Sequence, residues 1–305
     1  MTKKQRIAPQ PVVTRRRLSR WQRQRQMQRV ALFGGLFVIV CTTGILGYGY
    51  YDTEIKPLHQ TVIRVNEADF DMDYYVEMLS LYSTGQNPIT LNLVADLAAE
   101  HIQTRELIRQ GATRLGITIA PEEIDDQLKD RNIPQKKAYR DMVEAELLRD
   151  RLLEEYFEPK VPTVAPQAYI QGMTVASEEK AKNTIAQLEA GNDFATLAEE
   201  FSQDPVSKEN KGDLGWLPEG YMSPLFDEVA FSLEPDVLSE PFEDETGEFW
   251  IIRVLEKAGS REIEGDIREV LKEKAMENWI SEEREGSEVE SYLDEKNKDW
   301  ALARI

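Results

Sequence analysis

Residues 201–231 read FSQDPVSKENKGDLGWLPEGYMSPLFDEVAF, and this stretch decides the fold. At its centre is the Gly212-Asp213-Leu214-Gly215 turn with Trp216 behind it, followed by Gly220-Tyr221-Met222-Ser223-Pro224-Leu225-Phe226. Outward from it, strand and helix signals alternate over residues 164–258. Ala168 to Val175 is strand-like. Ser177, with Glu178 and Glu179, caps a helix expected to bury Ala181, Ile185 and Leu188, and Gly191 closes it. Asp193 caps the next helix, expected to bury Leu197, Ala198 and Phe201. Phe249 to Val254 is a hydrophobic strand.

The order of these elements, and most specifically residues 212–216, resembles the heart of a parvulin-type (PpiC, rotamase) peptidyl-prolyl isomerase domain. The resemblance implies a small antiparallel sheet with surrounding helices. Isomerising an X-Pro bond means crossing a barrier of about 20 kcal/mol without covalent chemistry. That requires an apolar slot for the proline ring and surroundings that disfavour the planar, charge-separated amide. Carried over residue by residue, the resemblance places Leu214, Met222 and Phe226 around the slot. These side chains offer a dry, adaptable surface without competing donors, and they would serve equally as ordinary core. Asp204 matches the Cys or Asp position beside the substrate carbonyl, where an anion would weaken amide resonance. The alternative role for Asp204 is a helix-end cap in SQDPVS. Thr246 is expected to supply a hydroxyl near the site.

The chain departs from the family at two defined points. The family usually carries two active-site histidines, whereas this chain has only His59 and His101, both upstream of the domain. Where the family has His-Ile-Leu in its first strand, this chain has Gly172-Met173-Thr174. Where the last strand carries the second histidine, it has Gly247-Glu248-Phe249-Trp250-Ile251-Ile252, with Trp250 at that position. In the family these histidines shape the pocket through hydrogen bonds. Their loss is expected to weaken turnover and keep the fold, leaving Gly172 and Trp250 as parts of a peptide-binding surface.

Charge is divided along the chain. Residues 1–29 hold ten Lys or Arg and no acid, and the uncharged run VALFGGLFVIVCTTGILGYGYY follows at 30–51. The remainder carries 27 basic against 56 acidic residues. So acidic a body repels nucleic acid, which is not an expected partner. At about 1.5 Å per residue the 22-residue run spans a bilayer core of roughly 30 Å. Tyr48, Tyr50 and Tyr51 suit an interfacial belt, and the flanking cations place the N-terminus in the cytoplasm and the body outside. A cleaved signal peptide would have a shorter apolar core and an Ala-x-Ala-like exit. Cys41, the single cysteine, lies inside the run behind Val38-Ile39-Val40, which does not resemble a lipobox. No His/Cys cluster suggests a metal, and no cofactor is expected.

Between anchor and isomerase-like region the pattern is helical. Thr61–Val65 reads as a short strand. Helices are expected over Asp71–Tyr82, over Leu91–Leu115 (with Val94, Ala98, Ile102, Ile108, Ala112 and Leu115 inward), from Pro121, and over Gln135–Phe157. Three stretches, VNEADFDMDYYVEML, HIQTRELIRQGATRLGITIAPEEIDDQL and FEPKVP, resemble the N-terminal chaperone domain of SurA/PrsA-type extracytoplasmic foldases. A long charged helix from Ile263 carries an apolar stripe of Ile267, Val270, Leu271, Ala275 and Trp279. The resemblance implies that this segment returns to complete the chaperone domain. The alternative, a free coiled-coil arm, has too short a stripe.

The expected organisation is an α+β chain. It comprises a basic cytoplasmic tail (1–29), disordered except near the membrane, a transmembrane anchor (30–51), a helical chaperone-like domain (60–162), an inserted parvulin-type domain (164–258) and a returning helical segment (262–305). The expected function is a membrane-anchored foldase acting on unfolded or proline-containing exported polypeptides. The alternatives are a non-catalytic chaperone of the same fold and, more distantly, a structural adaptor in an envelope complex.

Overall fold

A computed structural model describes residues 15–83 and 90–305. Helix α1 (Arg15–Tyr50) contains the uncharged run. Among the described residues it is the one helix long and apolar enough to cross a membrane, and nothing in the molecule covers its apolar stretch. Thr42 and Thr43 donate their hydroxyls to the carbonyls of Val38 (2.7 Å) and Ile39 (2.9 Å), so both threonines are satisfied within the helix. Residues 15–29, the membrane-proximal part of the basic tail, belong to this helix. Arg, Gln, Leu and Met are good helix formers, and the apolar segment downstream supplies the nucleus. Residues 1–14 of the expected tail lie outside the described residues.

One turn of π-helix (Tyr51–Ile55) and one of 3-10 helix (Lys56–His59) lead into β1 (Thr61–Val65). A tight turn at Asn66, whose φ is 55°, returns the chain as β2 (Ala68–Asp71). Helices α2 (Met72–Ser83), α3 (Leu91–Arg114), α4 (Pro121–Asp130) and α5 (Lys137–Leu152) follow. Pro121 occupies the first turn of α4, where its missing N–H costs nothing. Tyr75, Met78, Leu79, Ala98 and Ile102 close over β1 in one core cluster. Ile108, Ala112, Leu128, Val143, Leu148 and Leu152 form a second. Leu115, expected on the inner face of α3, is instead its exposed C-cap.

The chain then enters a four-stranded antiparallel sheet in the order β4-β3-β6-β5. Its members are β3 (Val164–Val175), β4 (Asp213–Pro218), β5 (Phe242–Glu243) and β6 (Phe249–Glu262). Side chains alternate across it with period two. Ile170, Trp250, Ile252 and Val254 face helix α9 (Pro224–Ser232) with its buried Phe226 and Ala230. Met173, Val175 and Ile251 face α6 (Glu178–Glu189) and α7 (Phe194–Phe201), where Ala181, Phe194, Leu197 and Ala198 are buried. Phe194, not singled out in the sequence, packs against Gly212: a Cβ there would stand 2.7 Å from its ring, and the φ of +81° already demands glycine. A short helix, α8 (Pro205–Glu209), joins α7 to β4.

After β6 the chain leaves the sheet as α10 (Gly265–Glu285), β7 (Val289–Ser291) and α11 (Glu295–Leu302). Strand β7 pairs antiparallel with β1, Ile63 opposite Ser291. Met276 of α10 is buried in the second helical core cluster, with Trp279 and Ile280 beside it. A Cβ on Gly111 would lie 2.4 Å from the Trp279 ring, so glycine in the last turn of α3 is what lets the indole lie on that helix. Lys272, buried beside Met276, pairs with Glu158 at 2.8 Å and Glu269 at 2.7 Å. The expected single stripe on α10 is corrected in one member: Val270 is exposed, and the buried side chains are Lys272 and Met276.

Candidate active site

A cleft of about 470 Å³ opens over β4 and the loop of residues 219–223. Of the residues that the resemblance singled out, Leu214, Met222, Trp250 and Asp204 line it. Leu214 and Trp216 of β4 flank Gly215, and both line the cleft. Gly215 between them takes a φ of +74°, where the strand register shifts against β3. Met222 follows the Glu219-Gly220 turn and precedes Ser223, whose hydroxyl caps α9 by accepting the Phe226 N–H at 3.3 Å.

The seven residues singled out in the sequence occupy different depths. Phe226 is 1 % exposed and does not reach the cleft surface. Its ring meets that of Trp250 edge-on at 5.2 Å, so it supports the floor. Gly172 lies behind the wall. A Cβ there would stand 2.7 Å from Leu214 Cδ1 and 3.1 Å from the Trp250 ring, so the absent side chain is the space these two fill. Its N–H donates to the Gly212 carbonyl at 2.8 Å. Thr246 is exposed in the turn before β6 and outside the cleft. Its hydroxyl donates to Asp244 Oδ1 at 2.6 Å, and Trp250 Nε1 donates to Asp244 Oδ2 at 3.2 Å. Thr246 therefore bears on the site only through Asp244. Burial opposes ionisation of Asp244, but the bonds it accepts from Thr246, Glu248 and Trp250 outweigh it and hold the carboxyl below its usual range.

Asp204 has two structural placements. It is the N-cap of α8, Oδ2 accepting the Ser207 N–H at 2.6 Å, and it also borders the cleft. Its own N–H donates to the Thr174 hydroxyl at 2.8 Å.

Several lining residues were not anticipated. Tyr169 and Trp216 are paired across β3 and β4, their rings edge-on at 5.5 Å. The Tyr169 hydroxyl donates to Asp213 Oδ2 at 2.9 Å, a bond that raises its pKa. The Arg261 guanidinium covers the other Trp216 face at 4.5 Å. Trp216 was legible as the strand neighbour of Leu214 two positions on. Tyr169 needed the register. Glu264, Asp266 and Ile267 complete the far wall and belong to the start of α10 and the residue before it.

Neither histidine approaches the cleft. His101 on α3 packs edge-on against Tyr82 at 5.0 Å, and burial lowers its pKa. The ionisable cleft side chains are carboxylates and tyrosines, so what the arrangement offers a peptide is an apolar, aromatic surface with anionic edges.

Residues 164–256 match the family model described as Rotamase, PPIC-type PPIASE domain. Among curated relatives, the chain is 31% identical over 170 residues to Foldase protein PrsA of Caldanaerobacter subterraneus subsp. tengcongensis, a match covering 52% of this chain and 56% of the relative. It is 33% identical over 144 residues to Chaperone SurA of Nitrosococcus oceani, covering 43% and 34%. The chain thus spans about half the length of the first PrsA relative and a third of the SurA protein. Among solved structures, a PrsA peptidylprolyl isomerase from Bacillus anthracis aligns with 71% of this chain and 97% of its own, at 19% identity and a TM-score of 0.41. The parvulin domain of PpiD from E. coli aligns with 31% of this chain and 90% of its own, at 29% identity and a TM-score of 0.28.

Proposed function

Residues 164–256 being a PPIC-type, parvulin domain, we propose that the chain is a membrane-anchored extracytoplasmic foldase whose cleft binds proline-containing segments of exported polypeptides. The observation that carries this reading is the Leu214, Met222 and Trp250 wall over Phe226, an apolar slot at the positions where the family takes the proline ring. Curated relatives named as a foldase and a chaperone support the cellular role. The uncovered apolar stretch of α1, with ten cations and no acid before it and only Lys56 among Asp52 and Glu54 just after it, supports the anchor and an outward-facing body.

Catalysis would proceed without covalent chemistry. The slot holds the ring by shape. The Asp204 carboxylate, at the edge of the cleft, disfavours negative charge on the amide oxygen and so lowers the cost of twisting the C–N bond. That effect grows toward the transition state, where it raises rate more than affinity. The network that two histidines provide in the family has no counterpart: Gly172 offers no side chain, and the Trp250 N–H is taken up by Asp244. Isomerisation is therefore weak relative to the family, while binding persists.

In the same reading the helical body (60–162) and the segment 262–305 form one unit into which 164–258 is inserted. The pairing of β1 with β7 and the packing of Met276 support this arrangement. A second reading, a non-catalytic chaperone, is favoured by the histidine-free cleft. An exchange measurement of cis and trans populations in a prolyl peptide, on the full chain, separates the two. Slow but measurable acceleration is expected. Peptide binding with no acceleration selects the chaperone, and no binding removes both.

A further inference from the structure

Helix α10 presents two faces to two parts of the molecule. Lys272, Met276 and Trp279, spaced at i, i+4 and i+7, lie on one face, with Met276 and Trp279 in the helical core. Ile267, Leu271 and Lys274, spaced the same way, share another, about 140° round at 100° per residue. That second face meets the cleft. Ile267 lines it and packs against the sheet core. Leu271 Cδ2 stands 3.6 Å from where a Cβ on Gly220 would be. Lys274 Nζ donates to the carbonyls of Tyr221 and Met222, the latter at 3.1 Å.

The Tyr221 and Met222 carbonyls belong to the loop that forms one wall of the slot. Within the parvulin domain that loop is tied by the Gly220 N–H, which donates to Asp227 Oδ2 at 2.7 Å. Its other side is held from outside the domain. An ammonium bridging two successive carbonyls fixes the peptide plane between them, and with it the direction in which the Met222 side chain leaves the backbone.

We propose that Lys274, a residue beyond the parvulin domain, is a positioning residue for the proline slot, and that the docking of α10 on the helical body sets the width of the cleft. The proposal rests on the reading of this cleft as the prolyl-peptide site. It makes cleft geometry depend on a helix whose other face is anchored by Met276 and Trp279 in the helical core. Rearrangement of that core would then be felt at the slot through one rigid element rather than through a linker.

The test uses the full chain in detergent micelles, with Lys274→Met, which keeps the aliphatic stem and removes the donors, and Lys274→Arg, which keeps them. Three quantities are read: affinity for a fluorescein-labelled Ala-Leu-Pro-Phe peptide, amide hydrogen exchange at residues 219–223, and the melting temperature. Lys274→Met is expected to weaken binding about tenfold, a charged hydrogen-bond pair being lost, and to speed exchange at 219–223 alone. Lys274→Arg is expected to restore both to within about twofold. Unchanged exchange at 219–223 in Lys274→Met overturns the positioning role, as does faster exchange spread through the whole sheet part with a lowered melting temperature. Failure of the unmodified chain to bind the peptide would instead overturn the reading of the cleft, and the exchange at 219–223 would still decide the role of Lys274.

Discussion

The sheet part and the helical part of this molecule are assembled by opposite rules. Between Val164 and Glu262 every strand finds its partner within the same contiguous stretch, and both faces of the sheet are covered by helices from that stretch. The helical part begins at β1, which pairs with β2 close by but finds its second neighbour, β7, only more than two hundred residues later, and its second core cluster takes in Met276 from the far side of the sheet part. A contiguous unit carries its instructions in one motif. A discontinuous one is split between segments that, read singly, look unfinished.

Deleting residues 265–305 should break this comparison most severely. The helical part loses β7, α10 and α11, and with them the cover over Gly111 and Leu148. It is expected to lose cooperative unfolding while the sheet part keeps its own transition, since short bodies with too little buried apolar surface do not hold alone. Calorimetry with residue-resolved hydrogen exchange reads the two parts separately. A helical part that still melts cooperatively at its original temperature would mean that it is complete without the returning segment.

Phe226→Ala tests the other half. The ring is buried against Trp250 and Phe242, so its removal should cost the sheet part about 3–5 kcal/mol and weaken prolyl-peptide binding by undermining the floor. The helical part should be untouched, because no side chain of its core meets this ring. Chemical denaturation followed at both parts distinguishes the outcomes.

A smaller effect sharpens the role of Asp204. Asp204→Asn keeps an oxygen for the Ser207 N–H and removes the charge, whereas Asp204→Ala removes both. The asparagine variant is expected to fold as stably as the parent and to isomerise about tenfold more slowly, roughly 1.4 kcal/mol of barrier, with peptide affinity little changed. The alanine variant should lose a further ~1 kcal/mol of stability through the missing cap. Equal rates in parent and asparagine variant would leave Asp204 a cap and nothing more.

The least effect is expected with pH. The Asp244 carboxyl is held below its ordinary value in the fold, so its contribution is fully present above the unfolded pKa of 3.8 and is lost as pH falls through the depressed folded value. Melting of the sheet part should therefore decline more steeply below about pH 4 in the parent than in Asp244→Asn. Parallel declines would show that the Thr246, Asp244 and Trp250 chain does not support the fold.

Much of this was legible residue by residue, and the reasons are local. The caps at Ser177 and Asp193 act on backbone donors three residues away, so sequence carries them. Leu214, Met222 and Trp250 were legible because a motif fixes their place on strand and loop. Thr246 lies outside the cleft because its N–H and hydroxyl both bond Asp244 in the turn before β6. Val270 was assigned to the buried stripe because a single periodicity cannot describe a helix with two packed faces.

From the sequence alone came the parvulin-type domain, through the resemblance carried by residues 212–216, together with the apolar N-terminal helix and the helical character of the region between them. The last two rest on spacing, capping and composition, which act within a few residues. Tertiary structure alone decided that β7 pairs with β1, that Trp279 lies on Gly111, and that Ile267 and Lys274 stand at the cleft. Each of these joins residues distant in the chain, and their meeting is set by the shape of surfaces that exist only once the elements between them have packed.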